Sequence, residues 1–248
     1  MGTKERKQRE FAEREERFLR AAAEYIREDG FLNLQMARLA RACDYATGTL
    51  YQHFTSKEDL LLALANRQLD AQVEVFRRVE RLRATGTRER MFAIAVSDLE
   101  FARRFPDHVK LLHYVHTEAV WENTSPARRR TALAAGEPIG EIVTGIIREA
   151  LARGELDSRG LSPMELACGP WSVSEGMHAL SHVQGLFESL QIDNPERLLF
   201  QQVQTYLNGM GWRPLADLED AAATEALVAR LRTALADDDG PRQSSPRV

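Results

Sequence analysis

At 248 residues, with 44% hydrophobic and 28% charged side chains, the chain has ample material for one large or two modest globular domains. A formal net charge of −4 argues against a broadly basic nucleic-acid binder, so any DNA affinity has to come from locally placed cations. No apolar run approaches the roughly 20 residues that span a bilayer, Met1–Lys7 lacks the apolar stretch of a signal peptide, and Cys43 and Cys168 match no zinc or redox spacing; a reduced, cytoplasmic setting is expected.

In chain order, Phe11, Phe18, Leu19, Ala22, Ala23 and Ile26 recur at helical spacing, and Gly30 is placed to end that helix in a left-handed conformation. The cations Lys4, Arg6, Lys7 and Arg9 before it suit either a DNA-reaching arm or, interleaved with Glu5, Glu10 and Glu13, a solvated helix start. Met36, Leu39, Ala40 and Cys43 mark a short second helix, Asp44-Tyr45-Ala46 a turn, and Leu50 with Phe54 the buried side of a third. Ser56 followed by Asp59 predicts the capped start of a fourth helix, with a stripe through Leu60, Leu61, Leu64 and Leu69.

Helical periodicity continues. Met91, Ala95 and Leu99 mark a fifth helix stopped near Phe105-Pro106, and Val109, Leu112, Val115 and Ala119 a sixth. Ile139 to Leu151 mark a seventh. Ser162-Pro163-Met164-Glu165 opens an eighth, expected to reach about residue 190 with Pro170 able to bend it. Asn194-Pro195 opens a ninth that ends near Gly209 and Gly211. An alanine-rich stretch over 216–235 has the makings of a further helix, and DDDGPRQSSPRV after it has the composition of a disordered tail. No alternating strand pattern competes, and the fold class read from the sequence is all-α.

The short third helix carries the most chemical information. Thr47, Gly48, Thr49, Tyr51, Gln52 and His53, followed by Lys57, combine small polar residues, an aromatic hydroxyl, an amide, an imidazole and a lysine. An amide can bond bidentately to adenine, threonine methyls can meet thymine methyls, and a glycine lets the backbone approach a groove wall. Lys57 sits in a first helical turn, where a cation opposes the helix dipole, so an anionic partner such as a phosphate would give it a reason. Only Lys4, Lys7, Lys57 and Lys110 are lysines among the 33 basic residues, and residues 1–67 are nearly balanced in charge.

Residues 18–64 resemble the TetR (tetracycline-repressor) family of bacterial transcription regulators. The carriers are Ala22-Ala23, Gly30-Phe31, Leu39-Ala40, Gly48-Thr49-Leu50-Tyr51-Gln52-His53-Phe54 and Ser56-Lys57-Glu58-Asp59-Leu60-Leu61. The resemblance implies a three-helix helix-turn-helix domain over 1–66, a larger helical effector-binding and dimerisation domain over 67–213, and leaves 214–248 as a C-terminal helix and tail. By position, Thr47, Gly48, Thr49 and Gln52 would face bases or the groove wall, and Tyr51, His53 and Lys57 would hold phosphates. Where the family usually has Gly and Ser in the turn this chain has Asp44 and Ala46; aspartate tolerates a left-handed backbone, and Thr47 is the candidate replacement cap.

Phe101, Tyr114, Trp121, Trp171, Glu175, Met177 and His178 are the residue mixture of a mainly apolar effector pocket, and equally of a helical core without a ligand. His178 and His182 have a metal-compatible i, i+4 spacing, but no carboxylate or cysteine completes a set in the sequence, and neither a metal nor a cofactor is expected. Small residues at Gly169, Ala179, Gly185 and Gly209, with Leu186, Phe187, Leu198, Leu199 and Phe200, fit a homodimer interface through helices near 163–190 and 195–210, the alternative being a purely internal bundle. No phosphate loop, nucleophile elbow or paired-carboxylate arrangement supports an enzyme. The expected function is a repressor released from a palindromic double-stranded DNA operator by a small, mainly apolar effector. The alternatives are a DNA-binding activator or architectural protein without an effector, and a ligand- or metal-binding protein with a vestigial helix-turn-helix.

Overall fold

A computed structural model describes residues 2–82 and 85–237. Every regular element among them is helical, and they group into two compact units. The first holds residues 2–70 and 105–135, the second 71–82, 85–104 and 136–237.

In the first unit, α1 (Thr3–Asp29) is longer than its apolar stripe requires. Its first turns are exposed and carry the i, i+4 pairs Arg6–Glu10 and Arg9–Glu13, so the N-terminal cations belong to a solvated helix start. Phe18, Leu19 and Ala22 are buried, and Gly30 (φ 78°) ends the helix with its N–H on the Ile26 carbonyl. After one turn of 3-10 helix come α2 (Met36–Ala42), α3 (Thr47–Tyr51) and α4 (Lys57–Arg67). Asp44 takes up the left-handed conformation (φ 62°) that the missing glycine would have supplied. Thr47 does not replace the missing serine cap: it is already the first helical residue, and Ala46 before it caps nothing with its side chain. Leu50 and Phe54 are fully buried, which fixes the short α3 although five residues are too few to hold a helix alone.

The expected boundary at residue 66 needs correction. α7 (Pro106–Val115), α8 (Glu118–Glu122) and residues 126–135 of α9 (Pro126–Ala152) cluster with the N-terminal helices. Leu111, Val115 and Val120 complete the core made by Phe18, Leu39, Leu60 and Leu61. The apolar faces of α4 are too extensive for α1 and α2 to cover, since seven of its residues in sequence, Asp59 to Ala65, are buried.

The second unit is built from α5 (Leu69–Arg81), α6 (Thr87–Arg104), residues 136–152 of α9, α10 (Pro163–Ser181), α11 (Leu186–Ser189), α12 (Pro195–Gly209) and α13 (Ala221–Asp237). Its core holds Phe92, Val96, Ile146, Ile147, Leu199, Val203, Leu207 and Trp212. α12 packs on α10 and α6, and α13 closes over α6 and α12 through Val228 and Leu231. The segment after residue 213 is therefore part of this unit rather than an appendage; the tail expected after it lies outside the described residues.

Four helix boundaries differ from the periodicity, and one of them is the break of the expected sixth helix after Val115 into α7 and α8. The expected fourth helix breaks at Gln68, and α5 starts at Leu69. α9 starts thirteen residues before Ile139, because Ser125 caps it (Arg128 N–H to Ser125 Oγ, 3.2 Å), and it runs through Pro138 at the cost of one backbone hydrogen bond. α10 stops at Ser181, and Gly185 (φ 78°) turns the chain into the separate α11.

Candidate nucleic-acid interface and effector core

The recognition segment is an exposed polar strip on a buried base. Gly48 and Gln52 are exposed, Thr47 and Thr49 half-buried, and Tyr51 is 49% exposed, while Leu50 and Phe54 on the opposite side are sealed. A Cβ built on Gly48 would meet nothing within 4 Å, so its own fold does not demand a glycine there. That bare patch leaves room for a surface brought from outside.

His53 is not part of that strip, which corrects the phosphate role expected for it. Its side chain is wholly buried, stacked on Phe11 (centroids 3.8 Å apart) and edge-on to Phe18, with Nδ1 3.7 Å from a Glu15 carboxylate oxygen. Burial pushes its pKa below the ordinary histidine value, against the pull of Glu15, so the neutral form is favoured. Lys57 is half-buried and its Nζ donates to the Leu32 carbonyl at 2.6 Å, tying the start of α4 to the loop after α1. An ammonium has two further N–H donors, so this bond occupies Lys57 without exhausting it.

Beneath the strip lies a polar hub that the sequence reading missed. Asp59 is 2% exposed; one carboxylate oxygen accepts the Thr55 N–H (3.1 Å), the other the Ser125 N–H (3.1 Å) and hydroxyl (2.9 Å). Ser56 accepts the Asp59 N–H at 2.9 Å, as its capping position predicts, and donates its hydroxyl to the Asn123 carbonyl at 2.7 Å. Arg128, one turn into α9, sets both Nη atoms 3.1 Å from Glu15 Oε1, and its guanidinium carbon lies 5.3 Å from the centroid of the Phe54 ring. The turn between α8 and α9 thus grips the end of the recognition segment and the start of α4. Ser125-Pro126 is the same helix-start signal as Ser162-Pro163 and would have revealed the start of α9. Nothing local reveals that Asp59 reaches Ser125, 66 residues away.

The seven residues expected to line an effector pocket are divided between the units. Tyr114, packed against Phe31 (4.8 Å), and Trp121 belong to the first. Phe101, Trp171, Glu175, Met177 and His178 belong to the second. Phe101 is buried and Met177 packs on the core, whereas Trp171 is 59% exposed and donates its indole N–H to Glu175 at 3.0 Å. His178 is buried with Nδ1 3.6 Å from Asp98, whose other oxygen accepts from Gln72 at 3.1 Å. Among the described residues no group of three or more His, Cys, Asp or Glu side chains is placed to hold a metal ion.

The expected interface helices also need sorting. Leu199 and Phe200 point into the second unit's own core, and Leu186 and Phe187 are half-buried. The large apolar side chains exposed over these segments are Met164, Trp171, Leu180, Val183 and Leu190, with Tyr206 from α12. Gly169 admits the Tyr206 ring so closely that a Cβ there would lie 1.8 Å from its hydroxyl oxygen. No helix among the described residues is long and apolar enough to cross a membrane.

Comparison with known proteins agrees with this geometry. Residues 18–64 match the family model of bacterial regulatory proteins of the tetR family. The chain is similar to the fatty acid metabolism regulator protein of Bacillus subtilis (strain 168), 28% identical over 143 residues, which are 55% of this chain and 67% of that protein. It is 38% identical over 61 residues to the HTH-type transcriptional regulator UidR of Escherichia coli (strain K12), covering 25% of this chain and only 31% of that relative. A tetR-family regulatory protein from Rhodococcus RHA1 shares the fold, with a TM-score of 0.57 at 16% identity over 82% of this chain and 98% of that one. The tetR-family signature thus lies in the N-terminal helices, over residues 18–64, and the likeness to the solved regulator is one of fold.

Proposed function

We propose that the protein works in the cytoplasm as a homodimeric repressor, bound to a palindromic operator and released by a small, mainly apolar effector. One observation carries the DNA part of this reading: a five-residue helix offers Thr47, Gly48, Thr49 and Tyr51, with Gln52 at its end, to the outside, over a base sealed by Leu50 and Phe54. Gln52 and the threonines read base edges, and Tyr51 with the remaining donors of Lys57 holds phosphates. In the dimer two such segments enter successive major grooves about 34–36 Å apart. The outward Met164, Trp171, Leu180, Val183 and Tyr206 supply the apolar centre of the dimer contact. Of the expected pocket residues, Phe101, Met177 and His178 remain candidates for the effector's surroundings. An effector acts only through its preference for the non-binding conformation; a coupling of about 1–3 kcal/mol changes operator affinity about 5–150-fold.

The test is selection of binding sites from random duplexes, followed by gel shift across a salt series. A palindromic consensus, with affinity falling steeply as salt rises, is the expected result. Failure to enrich any sequence would sink this mechanism.

A further inference from the structure

α1 begins well before the body it packs on. Residues 2–13 are exposed, so about three turns of formed helix, roughly 16 Å, precede the buried part. Phe11 is the first apolar residue of the stripe that Phe18 and Ala22 continue, and it stacks on His53, which directly follows Tyr51 and Gln52 of the recognition segment. Toward the N-terminus the same stripe is occupied by Lys7 and Lys4, four and seven residues before Phe11. At 1.5 Å per residue they stand roughly 6 and 10 Å along the helix beyond the contact with His53.

The charges of this overhang are sorted by face. Each of its carboxylates is engaged elsewhere: Glu5 accepts the Gly2 N–H at 2.9 Å, Glu10 pairs with Arg6, and Glu13 pairs with Arg9. All three lie about 100° or more around the helix from the direction of Phe11. Lys4 and Lys7 are exposed and meet no acid among the described residues, so the stripe beside the recognition segment carries the uncompensated charge. Lys4 also stands in the first helical turn, where a cation opposes the helix dipole and an anionic partner offsets that cost.

We propose that Lys4 and Lys7 form a second DNA contact, on backbone phosphates flanking the base pairs that Gln52 reads. The overhang meets the backbone as a formed helix rather than as an extended arm in the minor groove, and Phe11 on His53 fixes where it meets it. Two ammonium groups on flexible stems bind phosphate as point charges and carry no base information, so they supply affinity and not preference. A chain with a net charge of −4 has need of such placed cations. The contact rests on the DNA-binding reading above and extends its footprint.

The experiment measures duplex binding of the full chain by fluorescence anisotropy across a salt series, on the selected operator and on a random-sequence duplex at low salt. Lys4→Gln with Lys7→Gln should lower the slope of log affinity against log salt by about two per protomer and raise the operator Kd severalfold. The selected consensus should stay the same. Arg6→Gln with Arg9→Gln removes as much positive charge from the paired side of the same helix, and should change the slope by less than half as much. The proposal is overturned if the lysine pair leaves the slope as it was, or if the arginine pair lowers it equally, the mark of a diffuse field. If no consensus is selected, the random-sequence duplex still decides. A lysine-dependent slope there keeps this contact and removes only base reading, whereas absence of any duplex binding overturns both.

Discussion

The two units use their polar groups in opposite ways. In the first, hydrogen bonds gather around one short stretch, Thr55 to Asp59, and hold an exposed recognition segment on a rigid base. In the second, charged side chains pin helices remote in sequence: Arg232 of α13 bridges Glu100 and Glu196, and the buried Arg88 reaches Asn208 at 2.7 Å. A reading head has to present the same atoms in the same places each time, and the bonds of Asp59 and Ser56 to the turn between α8 and α9 serve that end across 66 and 67 residues of sequence. Buried donors without an acceptor among the described residues occur in both units, Asn66 Nδ2 in the first and Arg90 Nε in the second.

Stability measurements sharpen this contrast most directly. Asp59→Ala strands three part-buried donors and should cost about 3–4 kcal/mol in urea unfolding, whereas Glu141→Ala, at its exposed pair with Arg148, should cost under about 1 kcal/mol. Equal costs would erase the distinction. Acid should also act first on the head. His108 and His53 both belong to it, and burial lowers both pKa values, His108 to about 4 from 6.5. Each therefore favours the neutral form when folded, so stability is complete above pH about 6.5 and is lost as pH falls toward the folded value. Between pH 7 and pH 5, His108 alone should remove about 2 kcal/mol, and His108→Phe should flatten the slope.

Smaller effects probe the surfaces. Gln52→Ala should cost about tenfold at the preferred base and relax specificity there, while Tyr51→Phe weakens all sequences alike in gel shifts. An unchanged base preference in Gln52→Ala would remove its reading role. Gly169→Ala must push the Tyr206 ring aside, and should raise the dimer dissociation constant about threefold to tenfold by sedimentation equilibrium. A dimer indifferent to this change would place the interface elsewhere than on α10 and α12.

The sequence was legible where structure is decided locally. Gly30, the left-handed Asp44, the Leu50–Phe54 pair and the Ser56 cap all behave as their types and spacings predict. Reading failed where a distant element decides. His53 has a polar side chain next to a recognition helix, and only the arrival of Phe11 and Phe18 from α1 turns it into core. Leu199 and Phe200 exceed one narrow stripe, but α12 is covered by both α10 and α6 and buries a broad face. Aromatic residues grouped by composition as one pocket fall into two units, because composition carries no information about which helix meets which.

The first unit is assembled from two stretches of chain, with residues 105–135 returning to cover α4. This sets a rule for grafting. A chimera that borrows the head as the family-matched residues 18–64 would take the recognition helix but leave behind Leu111, Val115 and Val120, and with them Ser125, the partner of Asp59. Specificity is portable between relatives only if the donor's α7, α8 and the start of α9 travel with it, or if the recipient's equivalents happen to fit. Exchanging only the outward side chains of α3 avoids that seam and is the smaller unit of inheritance.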